Sequence, residues 1–315
     1  MFKRVISFFL ILFVFVCTST ISATAKSKLN PKVKRGVIKK VIINNKVLSE
    51  TTYKVPYGTW LWDTSKIVQI PDDVIKFLNK NGFNEVYVQI DQSLNYSHYS
   101  YFIKNANKFG IKVYALEGNP NWTLKSKRVQ LDKFLNWVVK YNNSKANDEK
   151  FYGIHLDSEP YLLDLWNINR NQAVLEYMDY ISYIKNFAVK NKLNISVDMP
   201  FWFDEILLLN KGMSLAEYVI SKVDSVNIMA YRDRAESIIE IVKNEIDYAK
   251  KYNKKIMISV ETGNTSEGDY VTFYQEGLNY MWSEINRVND YYRNKYNNFG
   301  FAVHYLENIM MMKRE

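Results

Sequence analysis

Eight short apolar runs recur along this chain, and each of them ends on a polar or charged side chain. The clearest run is residues 151–160, Phe-Tyr-Gly-Ile-His-Leu-Asp-Ser-Glu-Pro. The other seven are residues 58–63, 85–91, 112–117, 194–198, 226–231, 255–261 and 299–304. Strands of a parallel sheet are buried on both faces and read as apolar runs of this kind. The intervals between the runs fit one strand followed by one helix.

This alternation predicts an α/β fold, a single-domain (β/α)8 TIM barrel. The first helix is predicted to begin at Pro71, with Asp72 and Asp73 in its first turn, and to end at Gly82. Further helices are predicted over residues 126–141, 171–192, 214–223, 235–252 and 270–292. Active sites of such barrels lie at the C-terminal ends of the strands, where the acidic residues of this chain also fall.

The N-terminal 50 residues are predicted to stand apart from the barrel, which we assign to residues 51–315. Residues 1–25 combine a charged start, an apolar run and a small-x-small pattern at 23–25, and this predicts a cleaved secretory signal peptide. A lipid anchor on Cys17 is less favoured, because bulky Val16 precedes it. Cleavage removes the single cysteine, which excludes a thiol nucleophile. We expect a secreted or cell-envelope-associated protein.

The positive charge of the chain is concentrated in a basic arm, residues 26–50. Residues 1–50 hold ten of the 42 Lys and Arg and one of the 33 Asp and Glu, which leaves 32 of each from residue 51 onward. A neutral barrel argues against nucleic-acid binding. The arm is interpreted as a solvated tether or as a contact with an anionic cell wall. We expect the barrel to act as a monomer.

Alternation along the fourth run places His155, Asp157 and Glu159 on one face, directed into the barrel. Buried carboxyl groups cost several kcal/mol unless they are paired or partly solvated, so fold stability alone does not explain them. Like charges at close range raise the pKa of one carboxyl group of such a pair. One group can then hold a proton while its neighbour is ionised, as glycoside hydrolysis requires.

The ends of the other strands are predicted to bring further polar groups to the same mouth. These groups are Asp63, Asp91, Glu117, Asp198, Tyr231, Glu261 and His304. Taken alone, Asp63 or Asp91 could instead cap the helix of the following loop. Trp62, Trp122 and Trp202 lie at or just after strand ends, where indole rings can stack on sugars or pack loops onto the barrel. Convergence of acids from several strands favours a functional pocket.

Residues 152–159, Tyr-Gly-Ile-His-Leu-Asp-Ser-Glu, resemble the strand-four motif Asp-Gly-x-Asp-x-Asp-x-Glu of family 18 chitinase-like glycosidases. Residues 229–231, Met-Ala-Tyr, resemble the Met-x-Tyr of the same family. The resemblance implies that Glu159 is the acid, that Asp157 orients a substrate acetamido group, and that Tyr231 supports this group. Tyr152 and His155 depart from the motif at its first two acids.

The chain also resembles clan A retaining glycosidases, in which a Glu after strand four and a Glu after strand seven are acid/base and nucleophile. Residues 158–160, Ser-Glu-Pro, and 260–263, Val-Glu-Thr-Gly, stand at these places, with Ser158 where Asn is expected. This resemblance implies Glu261 as the nucleophile. Both resemblances make Glu159 the proton donor.

The leading hypothesis is therefore a secreted glycoside hydrolase that acts on a polysaccharide or cell-wall glycan without a cofactor. Glu159 would be the general acid/base, and Glu261 or the substrate acetamide would be the nucleophile. The alternative is a non-catalytic glycan-binding barrel. A metal-dependent hydrolase is disfavoured, because the three histidines form no His-x-x-His pair, while an all-carboxylate metal site stays open. His155 is assigned either a catalytic role or a hydrogen bond inside the barrel.

Overall fold

The computed structural model describes residues 55–208 and 210–312. Ten strands lie in this part of the chain, eight long and two short. They are β1 Tyr57–Leu61, β2 Glu85–Gln89, β3 Lys112–Glu117, β4 Gly153–Leu156, β5 Asn194–Pro200, β6 Leu207–Leu208, β7 Met213–Ser214, β8 Ser225–Met229, β9 Lys255–Glu261 and β10 Phe299–His304. The predicted signal peptide and basic arm fall outside the described residues.

The eight long strands form a closed barrel in the order β1-β10-β9-β8-β5-β4-β3-β2, and every neighbouring pair is parallel. β6 and β7 form a separate antiparallel pair. Each long strand coincides with one of the eight apolar runs, so the predicted TIM barrel is confirmed. The C-terminal ends of all eight strands meet at one mouth, which is where a (β/α)8 fold carries its active site.

The helices surround the barrel between successive strands. They are α1 Lys66–Gln69, α2 Pro71–Lys80, α3 Tyr96–Asn107, α4 Val129–Asn143, α5 Asp164–Ile168, α6 Arg170–Asn191, α7 Leu215–Lys222, α8 Ala235–Ile241, α9 Lys243–Tyr252, α10 Leu278–Tyr292 and α11 Leu306–Met311. Short 3-10 helices lie at Pro120–Thr123, Lys125–Lys127, Asn147–Glu149, Pro160–Leu162, Phe201–Glu205 and Asp269–Val271. Within the described residues, no helix is both long and apolar enough to cross a bilayer.

Two helix predictions were wrong in their extent. The helix predicted over 235–252 is divided into α8 and α9, which meet at Val242. The helix predicted from residue 270 begins only at Leu278, after a loop that ends at Gly277. Gly277 has φ of +84°, a conformation that side-chain-bearing residues rarely adopt, so the helix cannot extend back through it.

Side chains alternate between two packed layers. The outward residues of the strands, such as Ile154 and Leu156, pack with the helices in one large apolar core. The inward residues form a smaller cluster inside the barrel, which contains Trp60, Tyr87 and Leu116. Aromatic rings therefore fill the lower barrel, and the polar inward residues of β4, β5 and β10 lie above them at the mouth.

Candidate active site

A cavity of about 390 Å³ opens at the C-terminal ends of the strands. It is lined by Trp60, Asp157, Glu159, Tyr161, Asp198, Pro200, Phe201, Trp202, Met229, Tyr231, Arg232, Glu267, Val271 and His304. A concave site at this face of a barrel, with convergent polar groups, is the expected place for ligand binding. Six of the predicted site residues meet here: Asp157, Glu159, Asp198, Trp202, Tyr231 and His304.

Asp157 and Glu159 form the acidic centre of the cavity. Both side chains line the cavity together with Tyr161, and the charge of Glu159 acts on Asp157 and on Tyr161. Burial, followed by the charges of Asp198 and Glu159, raises the pKa of Asp157 well above its usual range. A raised pKa favours the protonated form, so Asp157 is the acid of this pair that burial and its neighbours favour as a proton carrier. The Oδ1 atom of Asp157 is buried and has no hydrogen-bond partner.

Asp198 on β5 is held beneath this pair by two ring nitrogens. Its Oδ2 atom accepts a hydrogen bond from Trp60 Nε1 at 3.1 Å and shares one with His155 Nε2 at 2.9 Å. Burial raises the pKa of Asp198 well above its usual range and lowers the pKa of His155 to about 3. The His155 ring is stacked on Tyr87 with ring centroids 4.0 Å apart, and it has no exposed surface. His155 is therefore a neutral positioning group inside the barrel.

His304 on β10 joins the cavity to Glu261 on β9. Its Nδ1 atom lies 2.7 Å from Glu261 Oε2, and its Nε2 atom lies 3.1 Å from Trp62 Nε1. The indole N–H can only donate, so His304 Nε2 must accept and His304 Nδ1 carries the hydrogen that Glu261 accepts. The rings of Tyr231 and His304 are stacked with centroids 6.2 Å apart. Burial raises the pKa of Tyr231 well above its usual range, which keeps its hydroxyl group a donor.

Glu261 uses both carboxylate oxygens within the protein. Its Oε1 atom accepts hydrogen bonds from the backbone N–H groups of Thr262 at 2.8 Å and Gly263 at 2.6 Å, and its Oε2 atom is bound to His304. Glu261 is not among the residues that line the cavity. Its observed contacts make it a positioning residue for His304 and for the turn that follows β9.

Solved structures similar to this chain include a spore cortex-lytic enzyme and two chitinases. SleL, the spore cortex-lytic enzyme of Bacillus megaterium, is 13% identical with a TM-score of 0.51, covering 82% of this chain and 73% of that chain. This chain shares the barrel fold of SleL. A chitinase from Chromobacterium violaceum is 14% identical with a TM-score of 0.42, covering 66% and 68% of the two chains.

The second chitinase is that of Cycas revoluta in complex with (GlcNAc)3, at 12% identity and a TM-score of 0.45, covering 81% of this chain and 95% of that one. Neither the family models nor the curated proteins that were compared with the sequence gave a match. The likeness to SleL agrees with the predicted barrel fold.

Asp63 and Asp91 lie outside the cavity and stabilise loops. The Oδ1 atom of Asp63 accepts hydrogen bonds from the backbone N–H and the hydroxyl group of Ser65, at 3.1 and 2.6 Å. Asp91 makes the same pair of bonds with Ser93, at 2.9 and 2.6 Å. Both carboxylates are exposed, and these bonds lower the pKa of each. These are local turns rather than helix caps, because the N-cap residues of α1 and α3 are Ser65 and Asn95.

Glu117 and Trp122 also lie away from the cavity lining. On β3 the inward position is occupied by Leu116, so Glu117 has the opposite phase from the one predicted. Its carboxylate accepts a hydrogen bond from Gln89 Nε2 at 2.7 Å, and burial raises its pKa. Trp122 is buried in the core between barrel and helices, with its ring stacked on Phe134 at 6.1 Å. Trp122 packs a loop onto the barrel.

Tyr161 and Arg232 are among the cavity residues that the sequence analysis did not predict. Tyr161 follows Glu159-Pro160 and packs edge to face against Trp202, with ring centroids 5.3 Å apart. Arg232 directly follows the Met-Ala-Tyr segment and is the arginine of the cavity lining. Both residues directly follow a motif that the sequence analysis identified, and this adjacency could have indicated their place in the cavity. No group of three or more His, Cys, Asp or Glu within the described range is arranged to hold a metal ion.

Gly118, which directly follows β3, allows the backbone of Asp157 to approach the end of this strand closely. The position of a Cβ atom on Gly118 would lie 1.8 Å from the carbonyl oxygen of Asp157, far inside van der Waals contact. Behind the pair, Ser158 Oγ accepts a hydrogen bond from Tyr180 at 3.0 Å. The backbone around Asp157 is thus held closely between the end of β3 and helix α6.

Proposed function

We propose that this chain is a glycoside hydrolase that cleaves a glycan containing 2-acetamido sugars, with the substrate acetamide as nucleophile. The observation that carries the proposal is the Asp157–Glu159 pair in the lining of an aromatic-walled cavity, where burial and the neighbouring acids raise the pKa of Asp157. Glycoside hydrolysis needs a proton donor at the leaving oxygen and stabilisation of positive charge at the sugar ring. The occupied carboxylate of Glu261 disfavours it as the attacking group.

The residues would act in the following way. The acetamido N–H binds the free oxygen of Asp157 and thereby stabilises its ionised form, so the proton of Asp157 passes to Glu159. Glu159 gives this proton to the glycosidic oxygen while the acetamido carbonyl oxygen bonds to the anomeric carbon and the leaving group departs. Water then adds to the anomeric carbon, its proton returns to Glu159, and the cyclic intermediate opens. The Tyr231 hydroxyl group supports the acetamido oxygen, and Trp202 supports a sugar face.

A substrate comparison tests this function. The full chain is assayed on 4-nitrophenyl β-glycosides that differ only in a 2-acetamido or a 2-hydroxyl group, and on a neutral N-acetylglucosamine tetramer. Hydrolysis that requires the acetamido group, with inhibition by a thiazoline analogue of the cyclic intermediate, supports the proposal. Equal hydrolysis of the 2-hydroxyl glycoside overturns it and favours a protein nucleophile.

A non-catalytic glycan-binding barrel is the second candidate. The observation in its favour is the inward position two residues before Asp157, where His155 binds Asp198 and leaves Asp157 Oδ1 without a partner. Binding of a glycan without turnover would establish this function. The likeness to SleL, a spore cortex-lytic enzyme, supports a wall-type glycan as ligand in either case. We further propose secretion or envelope attachment through residues 1–50, with the barrel acting as a monomer.

A further inference from the structure

Arg232 is a fixed positive charge at the wall of the cavity. It follows Tyr231 directly at the end of β8, and its Nη1 atom donates a hydrogen bond to the Tyr231 carbonyl oxygen at 2.7 Å. Its guanidinium carbon lies 5.0 Å from the ring centroid of Phe201 and 5.5 Å from that of Tyr270. The two rings restrict the side chain from different loops, which lowers the entropy that a ligand contact would cost.

The guanidinium has no acidic partner within the described residues. No carboxylate of residues 55–208 or 210–312 lies within ion-pair distance of Arg232, although Glu267 lines the same cavity. Arg128, by contrast, is paired with Asp179 at 2.7 Å. Arg170 and Arg234 also lack an ion pair within the described residues, but they do not line this cavity. Only one hydrogen bond of Arg232 is used inside the protein, so most of its N–H donors remain for a ligand.

We infer that Arg232 binds a carboxylate on the sugar next to the acetamido sugar, so that the substrate is an acidic 2-acetamido glycan. A planar guanidinium binds a carboxylate through two parallel hydrogen bonds, which supplies specificity as well as affinity. Tyr231 is proposed to bind the acetamido oxygen, and Arg232 is the next residue. A carboxylate bound by Arg232 would therefore lie on the sugar beside the acetamido sugar. The inference rests on the proposed function for the orientation of the sugar. The need for a carboxylate on the ligand can be measured by binding alone.

The test uses matched ligands with and without the carboxylate. The first is a tetrasaccharide of alternating N-acetylglucosamine and N-acetylmuramic acid, and the second is the same compound with each lactyl carboxylate converted to a primary amide. A third ligand alternates N-acetylglucosamine with glucuronic acid and is compared with its own primary amide, which separates a lactyl from a uronic carboxylate. Wild type, Arg232→Met, Arg232→Lys and Arg170→Met are compared by dissociation constant and by kcat/KM. Arg170 also stacks on an aromatic ring, Trp166, but lies outside this cavity.

The expected result is a preference of wild type for the acid over its amide by about 10- to 100-fold, the range of a charge-assisted hydrogen bond. Arg232→Met should abolish this ratio, Arg232→Lys should keep part of it, and Arg170→Met should keep all of it. A wild-type ratio near one for both acidic ligands overturns the inference. The same holds if the ratio is unchanged in Arg232→Met. Because the wild-type ratio needs no variant, an unfolded Arg232→Met protein does not prevent the test.

The two proposals fail in different ways. Hydrolysis of the neutral tetramer together with an acid-to-amide ratio near one would leave the proposed function intact and remove the role of Arg232. An acid preference in binding that Arg232→Met removes, without hydrolysis of any ligand, would confirm Arg232 as a carboxylate-binding residue and remove the proposed catalysis.

Discussion

The side chains of Glu261 and His304 are joined by a hydrogen bond of 2.7 Å between Oε2 and Nδ1. The other oxygen of Glu261 accepts two backbone N–H groups, and the other ring nitrogen of His304 accepts the indole N–H of Trp62. Every strong acceptor and donor of this pair thus has a partner within the protein. An acid at the end of the seventh barrel strand therefore orients a cavity histidine.

Replacing Glu261 by Gln is expected to be much milder than replacing Asp157 by Asn. The side-chain amide of the Glu261→Gln variant can keep one hydrogen bond to the loop, so we expect kcat to fall about 10-fold or less. The amide of Asp157→Asn cannot carry the negative charge that stabilises the cyclic intermediate, and we expect kcat to fall about 100-fold or more. Both values come from steady-state kinetics on a 2-acetamido aryl glycoside. A Glu261→Gln variant as inactive as Asp157→Asn would restore Glu261 as the nucleophile.

Replacing Glu159 by Gln should remove proton donation while the fold is retained. Gln is nearly isosteric, and general acid catalysis contributes about 10²–10⁴-fold, so we expect kcat to fall by that factor. Circular dichroism and the melting temperature would verify folding. Glu240→Gln, an exposed acid at the end of helix α8, is the matched control. Full activity of Glu159→Gln would refute the assigned role.

Trp202 and Trp122 should respond to truncation in opposite ways. Trp202 lines the cavity and is half-buried, so Trp202→Ala is expected to raise KM about 10-fold with little change in kcat or melting temperature. Trp122 is buried against Phe134, so Trp122→Ala is expected to lower the free energy of unfolding by about 3–5 kcal/mol. A Trp122→Ala protein with wild-type stability and a raised KM would place this ring in the substrate path instead.

The stability of the barrel should fall as pH decreases through the range where His155 is kept neutral. The folded-state pKa of His155 is about 3, whereas the unfolded value is about 6.5, so between these values the unfolded chain binds the additional proton. Its contribution is fully present above pH of about 6.5 and is lost toward pH 3. The raised pKa values of Asp157 and Asp198 act with the opposite sign, because the folded state then binds more protons.

The contribution of His155 is isolated by comparing wild type with His155→Gln. The Gln amide N–H can still donate to Asp198, but the group no longer titrates. Between pH 5 and 6.5 the slope of unfolding free energy against pH should therefore be lower in His155→Gln, by at most about 1.4 kcal/mol per pH unit. Chemical denaturation at several pH values measures this slope, with His98→Gln on helix α3 as control. Equal slopes in wild type and His155→Gln would contradict a buried neutral imidazole.

The barrel was predictable because a strand buried on both faces needs a continuous apolar run, and eight such runs stand at regular spacing. Asp157, Glu159 and Asp198 were predictable because side-chain alternation fixes the inward phase. Glu117 was not, since its strand presents Leu116 inward. The occupied state of Glu261 depends on the turn that directly follows it and on His304 from β10. The surroundings of Arg232 depend on aromatic rings from two other loops, which the residues next to Arg232 do not indicate.

Gly118 has a consequence for any attempt to move this site to another barrel. Its missing side chain is what allows the chain to pass the carbonyl oxygen of Asp157, since a Cβ atom there would lie 1.8 Å from that oxygen. Suppose that the acids, the tyrosines and the tryptophan of the cavity were grafted onto another barrel. If that barrel carried a larger residue at the position of Gly118, the Asp157–Glu159 pair would be displaced toward solvent. A design that reproduces this site must therefore include the glycine at position 118 as well as the reactive side chains.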